Sequence, residues 1–348
     1  MSADNLIDTN IFVYFVSFCG YSIVMKTKLK VGVFGVGALG EHHARIYSGL
    51  DSAELAGVYD INAKRAAEIA RKYGTISFGN IEELASIIEA ASIVVPTDKH
   101  FQLFTQLEKH NIHMLMEKPI AASLEEAEKM TQTAQEKGLI LQVGHVERFN
   151  PVMKFLEEHL IRPRFIEAIR IAEYPPPRPG NVPRGTEVSV VLDLMIHDLD
   201  IILHLVRSPV KEIRAVGVQV LSPTDDIANV RLEFDDGCVA NVTASRISRE
   251  RLRKIRVFQE DTYISLDYVK QSGLLCKKEA GGISTHKVPI DKKEPLASEL
   301  ASFADCVLTR SDPVVSGRHA SEALKLAIDI CREIRKRDDR RQTADIRK

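Results

Sequence analysis

The hexapeptide Gly35-Val36-Gly37-Ala38-Leu39-Gly40 sits directly after an apolar run at 31–34 and directly before a helical stretch at 38–48. Glycines in this place permit a tight turn and a close approach of backbone, and the N-terminus of the next helix offers free N–H groups to a pyrophosphate. Asp60 ends the next apolar run, 20 residues beyond Gly40, where a carboxylate can accept hydrogen bonds from the hydroxyls of an adenosine ribose. The expectation is a dinucleotide site formed by Gly35, Val36, Gly37, Ala38, Leu39, Gly40 and Asp60. A carboxylate repels a 2′-phosphate, so NAD is favoured, while Lys64 and Arg65 nearby leave NADP open.

From 30 to about 149 short apolar runs alternate with amphipathic stretches, the pattern of βαβ units around a parallel sheet. Strands are expected at 30–34, 54–59, weakly at 75–78, and at 92–95, 113–116 and 140–143. Helices are expected at 38–48, 63–72 and 123–136, the last opening on Ser123 with Glu126 as a capping box. After Pro151 come a Pro-rich loop (174–183), a long apolar helix (188–206), and strands at 164–172, 212–220, 228–234, 239–245, 254–259 and 263–267. Asp235-Asp236-Gly237 signals a hairpin between two of them. Ala323, Leu324, Ala327, Ile330, Cys331 and Ile334 then share one helical face. The fold class expected is an α/β Rossmann domain, a doubly wound parallel sheet, over 30–150, followed by an α+β domain over 151–348 with a large, mostly antiparallel open sheet. The C-terminal helix is placed to pack back on the Rossmann domain.

A chain of 348 residues suits two domains. Its 47 Lys and Arg nearly cancel 48 Asp and Glu, so no net field holds polyanions, and nucleic acid is not an expected partner. The basic stretch 332–348 is interrupted by acids and reads as a solvated tail. Cys19, Cys238, Cys276, Cys306 and Cys331 show no paired short spacing, which excludes a zinc ribbon or redox dithiol and fits a reducing cytoplasm. Residues 1–29 read as an extension outside the fold. Their apolar stretch 11–25 is too short for a membrane span, and Asp4 and Asp8 precede it where a secretory signal wants positive charge. The phrase LIDTNIFVYF resembles the opening strand of a PIN-domain nuclease, but nothing else of such a domain follows; Met25 is the expected true start.

From residue 30 onward the sequence resembles the glucose-fructose oxidoreductase and inositol dehydrogenase family, Gfo/Idh/MocA. The residues that carry the likeness are the GVGALG loop, Val95-Pro96-Thr97 with His100, Glu117-Lys118-Pro119, and Asp193 with His197. The resemblance implies an NAD(P)-dependent oxidoreductase, adds Pro96, Thr97, His100, Glu117 and Lys118 to the cofactor site, and implies a cis Lys118-Pro119 peptide. It also implies a homodimer or homotetramer paired through the C-terminal sheet. The stretch VVLDLMIHDLDIIL and the segment CVANVTAS look most like members that oxidise nucleotide sugars, among them those that act on UDP-N-acetylglucosamine at the 3-hydroxyl. Free polyol or inositol oxidation and a biliverdin-reductase-like activity are the enzymatic alternatives. An inactive NAD-sensing regulator is the non-enzymatic one, and Lys118, Asp193 and His197 argue against it.

Lys118 follows a parallel strand, at the sheet edge where open α/β folds bind ligands, and an ammonium there stabilises a developing alkoxide. Asp193 and His197 are four apart on an expected helix, so the carboxylate can orient the imidazole as general base. The catalytic set is therefore Lys118, His197 and Asp193, and the alternative for the helical pair is a purely structural polar stripe. Asp198, Asp200 and His204 crowd the same segment but lie on different helical faces, so no metal is expected. Substrate contacts are assigned to His145, Arg148 and Asn150, with Arg148 pairing an acidic residue as its alternative. Tyr174, Arg178 and Arg184 are assigned to a loop closing over substrate, a solvated loop being the alternative at even weight. His42 and His43 are given no role.

Overall fold

A computed structural model describes residues 17–18, 21–22, 28–176 and 185–345, with side chains of the last helix followed to Arg337. The reading of 1–29 as an extension, and the assignments of Arg178 and Arg184, lie largely outside the described residues. Leu29 is an exception: it is buried and pairs with Ala53, so the first strand begins one residue earlier than its apolar run suggests.

Five strands build the first sheet: β1 (Leu29–Phe34), β2 (Ala53–Tyr59), β3 (Ala90–Ile93), β4 (His113–Glu117) and β5 (Leu141–Gly144). They run parallel in the order β2-β1-β3-β4-β5, so the chain leaves β1 in one direction and returns to the other side for β3. That reversal opens a crevice at the carboxyl ends of β1 and β3. The expected strand at 75–78 is only a single bridge between Val58 and Ser77. Connecting helices are α1 (Ala38–Gly49), α2 (Ala63–Tyr73), α3 (Ile81–Ala85), α4 (His100–Leu107) and α5 (Leu124–Glu136). Side chains of Asn62, Asn80 and Ser123 each accept an N–H in the first turn of the helix they open.

After α6 (Pro151–His159) the second sheet holds β6 (Phe165–Ile171), β7 (Val210–Val218), β8 (Ile227–Phe234), β9 (Val239–Ser245), β10 (Leu252–Phe258), β11 (Thr262–Asp267), β12 (Ser272–Glu279) and β13 (Gly282–Lys287). Its order is β13-β12-β11-β10-β6-β9-β8-β7, antiparallel except where β6 runs beside β9. The β12–β13 hairpin has too little apolar alternation to be read from sequence. Its burial pattern is mostly exposed. The long apolar segment is not one regular helix: Val191–Met195 forms a π-helical turn that runs into α7 (Ile196–Val206).

Two terminal helices bind the domains together. In α8 (Pro295–Thr309), Leu300, Phe303, Ala304 and Val307 join Val31, Val33 and Tyr47 on one face of the parallel sheet. Helix α9 (Gly317–Asp345) lies across the other side, packed on α5, α7 and β7. Burying such apolar side chains contributes about 1.5–3 kcal/mol each, which makes the second domain's last helices part of the first domain's core.

Candidate active site

The loop after β1 is dictated by backbone crowding. Gly35 has φ +85°, and a Cβ there would stand 2.5 Å from the Val94 carbonyl oxygen; one on Gly40 would stand 1.8 Å from the Gly35 carbonyl oxygen. A Cβ on Gly37 would meet nothing within 4 Å, so this glycine leaves room toward the cleft. No side chain caps α1 at Gly37, and its first-turn N–H groups point into that space. The cleft has a volume of about 760 Å³ and is lined by the glycine loop, the strand-end residues Pro96 and Thr97, Lys118, and Asp193 from the second domain.

Of the expected cofactor residues, Gly37, Ala38, Leu39, Gly40, Pro96, Thr97, Glu117 and Lys118 line this cleft. The others support it from behind. Val36 is fully buried and gives its N–H to Asp60 at 2.8 Å, while the second Asp60 oxygen accepts the Asn62 N–H at 2.8 Å. His100 is buried beneath the loops, its Nε2 3.0 Å from the Val95 carbonyl oxygen and its Nδ1 3.0 Å from that of Pro119. The cleft does not reach it, so His100 staples the ends of β3 and β4 together. The Lys118-Pro119 peptide is cis.

Glu117 is half-buried, and His43, which sequence reasoning passed over, donates to it across 3.1 Å from a fully buried position. Burial pushes the Glu117 carboxyl up, but the His43 hydrogen bond and the charges of His43 and Lys118 outweigh it and hold the group below the usual carboxylate range. His43 and Tyr47 face the sheet at the i, i+4 spacing on α1, a signal that was present in the sequence.

Lys118 donates to the Asp193 main-chain oxygen at 2.5 Å and to its carboxylate at 3.3 Å. The expected pairing of Asp193 with His197 is therefore replaced. Four residues bring side chains together on an α-helix, but the π turn at 191–195 advances the chain less per residue and turns Asp193 toward Lys118 instead. His197 is close enough to feel Lys118. Burial first, then the charges of Lys118 and Arg170, hold its imidazole well below the usual value, so it is neutral at neutral pH.

The junction residues turn inward. His145 is 1 % exposed, with its ring edge-on to His197 at 5.7 Å between centroids. Arg148 is buried against Asp200 at 3.4 Å, which is the acidic pairing named as its alternative. Asn150 caps α6 by accepting the Val152 N–H and donates to Glu147 and to the Tyr268 carbonyl. These three stand behind the cleft rather than in it. Tyr174 is half-buried just before the undescribed stretch 177–184. Asp198 binds Arg170 through both oxygens, Asp200 faces Arg148, and His204 meets Glu157, so the three diverge. Residues of the cleft that the sequence did not disclose include Glu187, Leu324 and Ile328; the latter two come from α9, read only as a packed helix.

Residues 29–145 match the oxidoreductase family with an NAD-binding Rossmann fold, and 160–265 match the Gfo/Idh/MocA C-terminal domain. The chain belongs to the Gfo/Idh/MocA oxidoreductase family. Among members of this family, UDP-N-acetylglucosamine 3-dehydrogenase of Acidithiobacillus ferrooxidans is 34% identical over 309 residues, spanning 87% of this chain and 96% of that protein. Its solved structure covers 88% of this chain and 98% of its own, with a TM-score of 0.83 at 33% identity. The NAD⁺-dependent scyllo-inositol 2-dehydrogenase of Bacillus subtilis is 25% identical over 87% of this chain and 93% of its own length. Levoglucosan dehydrogenase bound to NADH and levoglucosan shares the fold, with a TM-score of 0.81 at 18% identity and coverage of 89% and 98%.

As a Gfo/Idh/MocA oxidoreductase, the chain uses NAD, and its residues fit that group. The uncapped helix start above the open face of Gly37 suits a pyrophosphate. Arg65 is not free for a 2′-phosphate: its Nε donates to the Val36 carbonyl at 3.0 Å and its guanidinium is held by Glu41 and Glu68.

Proposed function

We propose that this dehydrogenase oxidises a nucleotide sugar, with the 3-hydroxyl of UDP-N-acetylglucosamine as the reacting group. The observation that carries this is the meeting of Lys118 and Asp193 across the two domains at the mouth of the parallel sheet, with His197 within electrostatic reach. A nucleotide-sugar relative at 34% identity over nearly the whole chain supports the substrate class.

NAD, held by the glycine loop and the residues Pro96 and Thr97, would supply the hydride acceptor for the carbon being oxidised. Lys118, aimed by Asp193, stabilises the negative charge that grows on the substrate oxygen. His197, neutral because it is buried beside cations, has a free lone pair for the hydroxyl proton. Lys118 lies largely buried at the cleft wall, which limits water at the reacting oxygen.

Purified protein given NAD and UDP-N-acetylglucosamine is expected to develop reduced-nicotinamide absorbance. Silence with the nucleotide sugar together with turnover of free inositol or glucose overturns the substrate; silence with all of them overturns the activity. The same reading takes the chain as a homo-oligomer paired through the face of the large sheet away from α7 and α9, where Phe165, Ile169, Ile171 and Val239 alternate with buried neighbours. Light scattering of the purified protein tests this, and a monomeric mass overturns it. Four described cysteines carry free thiols, which suits a cytoplasmic setting. No described helix is long and apolar enough to cross a membrane.

A further inference from the structure

Oxidising an alcohol to a ketone with NAD releases one proton besides the transferred hydride, and that proton must leave the base that first receives it. In the reading above this base is His197. Its Nδ1 is buried with no hydrogen-bond partner among the described residues. Beside it stands His145, at the carboxyl end of β5, with both ring nitrogens buried and both without partners among the described residues. Buried polar atoms are paired in the great majority of cases, so three unpaired imidazole nitrogens in neighbouring rings call for an explanation.

We propose that His145 is a relay: it takes the substrate proton from His197 and passes it away from the cleft, so that His197 is neutral again for the next turnover. The geometry carries this. The rings stand 5.7 Å apart between centroids at 80° with no direct hydrogen bond between them, a gap that one water molecule can bridge between their unpaired nitrogens. A neutral imidazole both donates and accepts, so a proton arriving at one nitrogen of His145 can leave from the other. The proposal rests on the dehydrogenase reading for the source of the proton, but not for the arrangement of the two rings.

The groups facing His145 come from three elements. Glu117 and Lys118 lie at the end of β4, Arg148 follows β5, and His197 and Asp200 belong to α7. Burial lowers the His145 imidazole most, Asp200 counters it, and Lys118 adds to the lowering. His145 in turn adds to the lowering of the His197 imidazole, after burial, Lys118 and Arg170. Beyond Asp200 the row reaches His319 at the start of α9, which is exposed and feels both Arg148 and Asp200. The direction of travel from His145 is therefore away from Lys118 and toward this exposed imidazole.

The test uses the full chain with His145→Asn and His145→Gln, each checked for NAD binding and thermal melting. Turnover is expected to fall about 10- to 100-fold in both, with KM for NAD within about two-fold and with kcat partly restored by rising imidazole buffer. A kcat within two-fold of wild type in folded variants overturns the relay, as does a loss that no buffer restores. Histidine NMR separates this from failure of the activity reading, because it needs no substrate: His145→Asn is expected to raise the His197 midpoint by about one pH unit. An unmoved His197 midpoint overturns the coupling whatever the enzyme oxidises.

Discussion

Lys118 at the end of β4 is tied to Asp193 in the π turn before α7 by two hydrogen bonds, 2.5 Å to the main-chain oxygen and 3.3 Å to the carboxylate. One side chain comes from each domain, so the Lys118 ammonium is aimed by the same contact that joins the halves of the cleft. The first-domain sheet alone would leave Lys118 as a solvated loop lysine.

Replacing Lys118 by Met is accordingly expected to lower kcat by at least about 100-fold while the affinity for NAD changes less than about three-fold. Asp193→Asn keeps the main-chain acceptor and is expected to be milder. Steady-state kinetics with fluorescence titration of NAD checks both, and equal losses for the two variants would deny Asp193 its role through the main chain.

Cofactor choice turns on Arg65. Its guanidinium is engaged by Glu41 and Glu68, and the Glu41 carboxyl is lowered to about 2, chiefly by hydrogen bonds from Lys72 and Arg65. Asp60→Ser combined with Glu41→Gln removes the repelling carboxylate and one of the two acids that hold Arg65, which loosens its guanidinium toward a 2′-phosphate. Affinity for NADP is expected to rise about 10-fold or more, read by calorimetric titration; an unchanged NADP affinity would place Arg65 out of reach of the adenosine ribose.

Glu299 on α8 is fully buried, and neither carboxylate oxygen has a partner among the described residues. Burial, then the nearby Glu117 charge, raises it well above 4.5, so the folded protein keeps a proton that the unfolded chain releases. Its contribution to stability is present below pH 4.5 and is lost as pH rises toward the raised value, by at most about 1.4 kcal/mol per pH unit. Glu299→Gln keeps the shape without the ionisation. The variant is expected to melt higher than wild type at pH 8 with the gap closing toward pH 5, and parallel melting curves across that range would refute a neutral Glu299.

Much of this was legible in the sequence, for reasons particular residues make plain. Gly35, Gly37 and Gly40 announce themselves because their roles are local, fixed by backbone crowding within a few residues. Strands β1 to β5 were readable because parallel strands buried on both faces form continuous apolar runs. What stayed hidden depends on distant partners. His43 gained its meaning only from Glu117, which lies 74 residues on. Asp193 looked like the partner of His197 because an α-helix was assumed, and no residue pattern signals a single π turn. Helix α8 escaped notice because its apolar face completes a core made by residues mostly more than 200 positions earlier.

His100 joins these two lessons, since its motif was recognised but its position was not. The ring lies between the carbonyl oxygens of Val95 and of Pro119 and Ile120, so it holds the ends of β3 and β4 at the spacing the cleft requires. His100→Ala removes those bonds and opens a buried cavity, which together are expected to cost about 2–4 kcal/mol of stability. Because Pro96, Thr97 and Lys118 sit on the released loops, NAD affinity is expected to weaken about 10-fold in protein that is still folded at the assay temperature. His100→Asn keeps one donor to these carbonyls and should recover part of both losses. Calorimetric melting alongside NAD titration distinguishes the outcomes: a lowered melting temperature with unchanged NAD affinity would mean that His100 stabilises the fold without shaping the site.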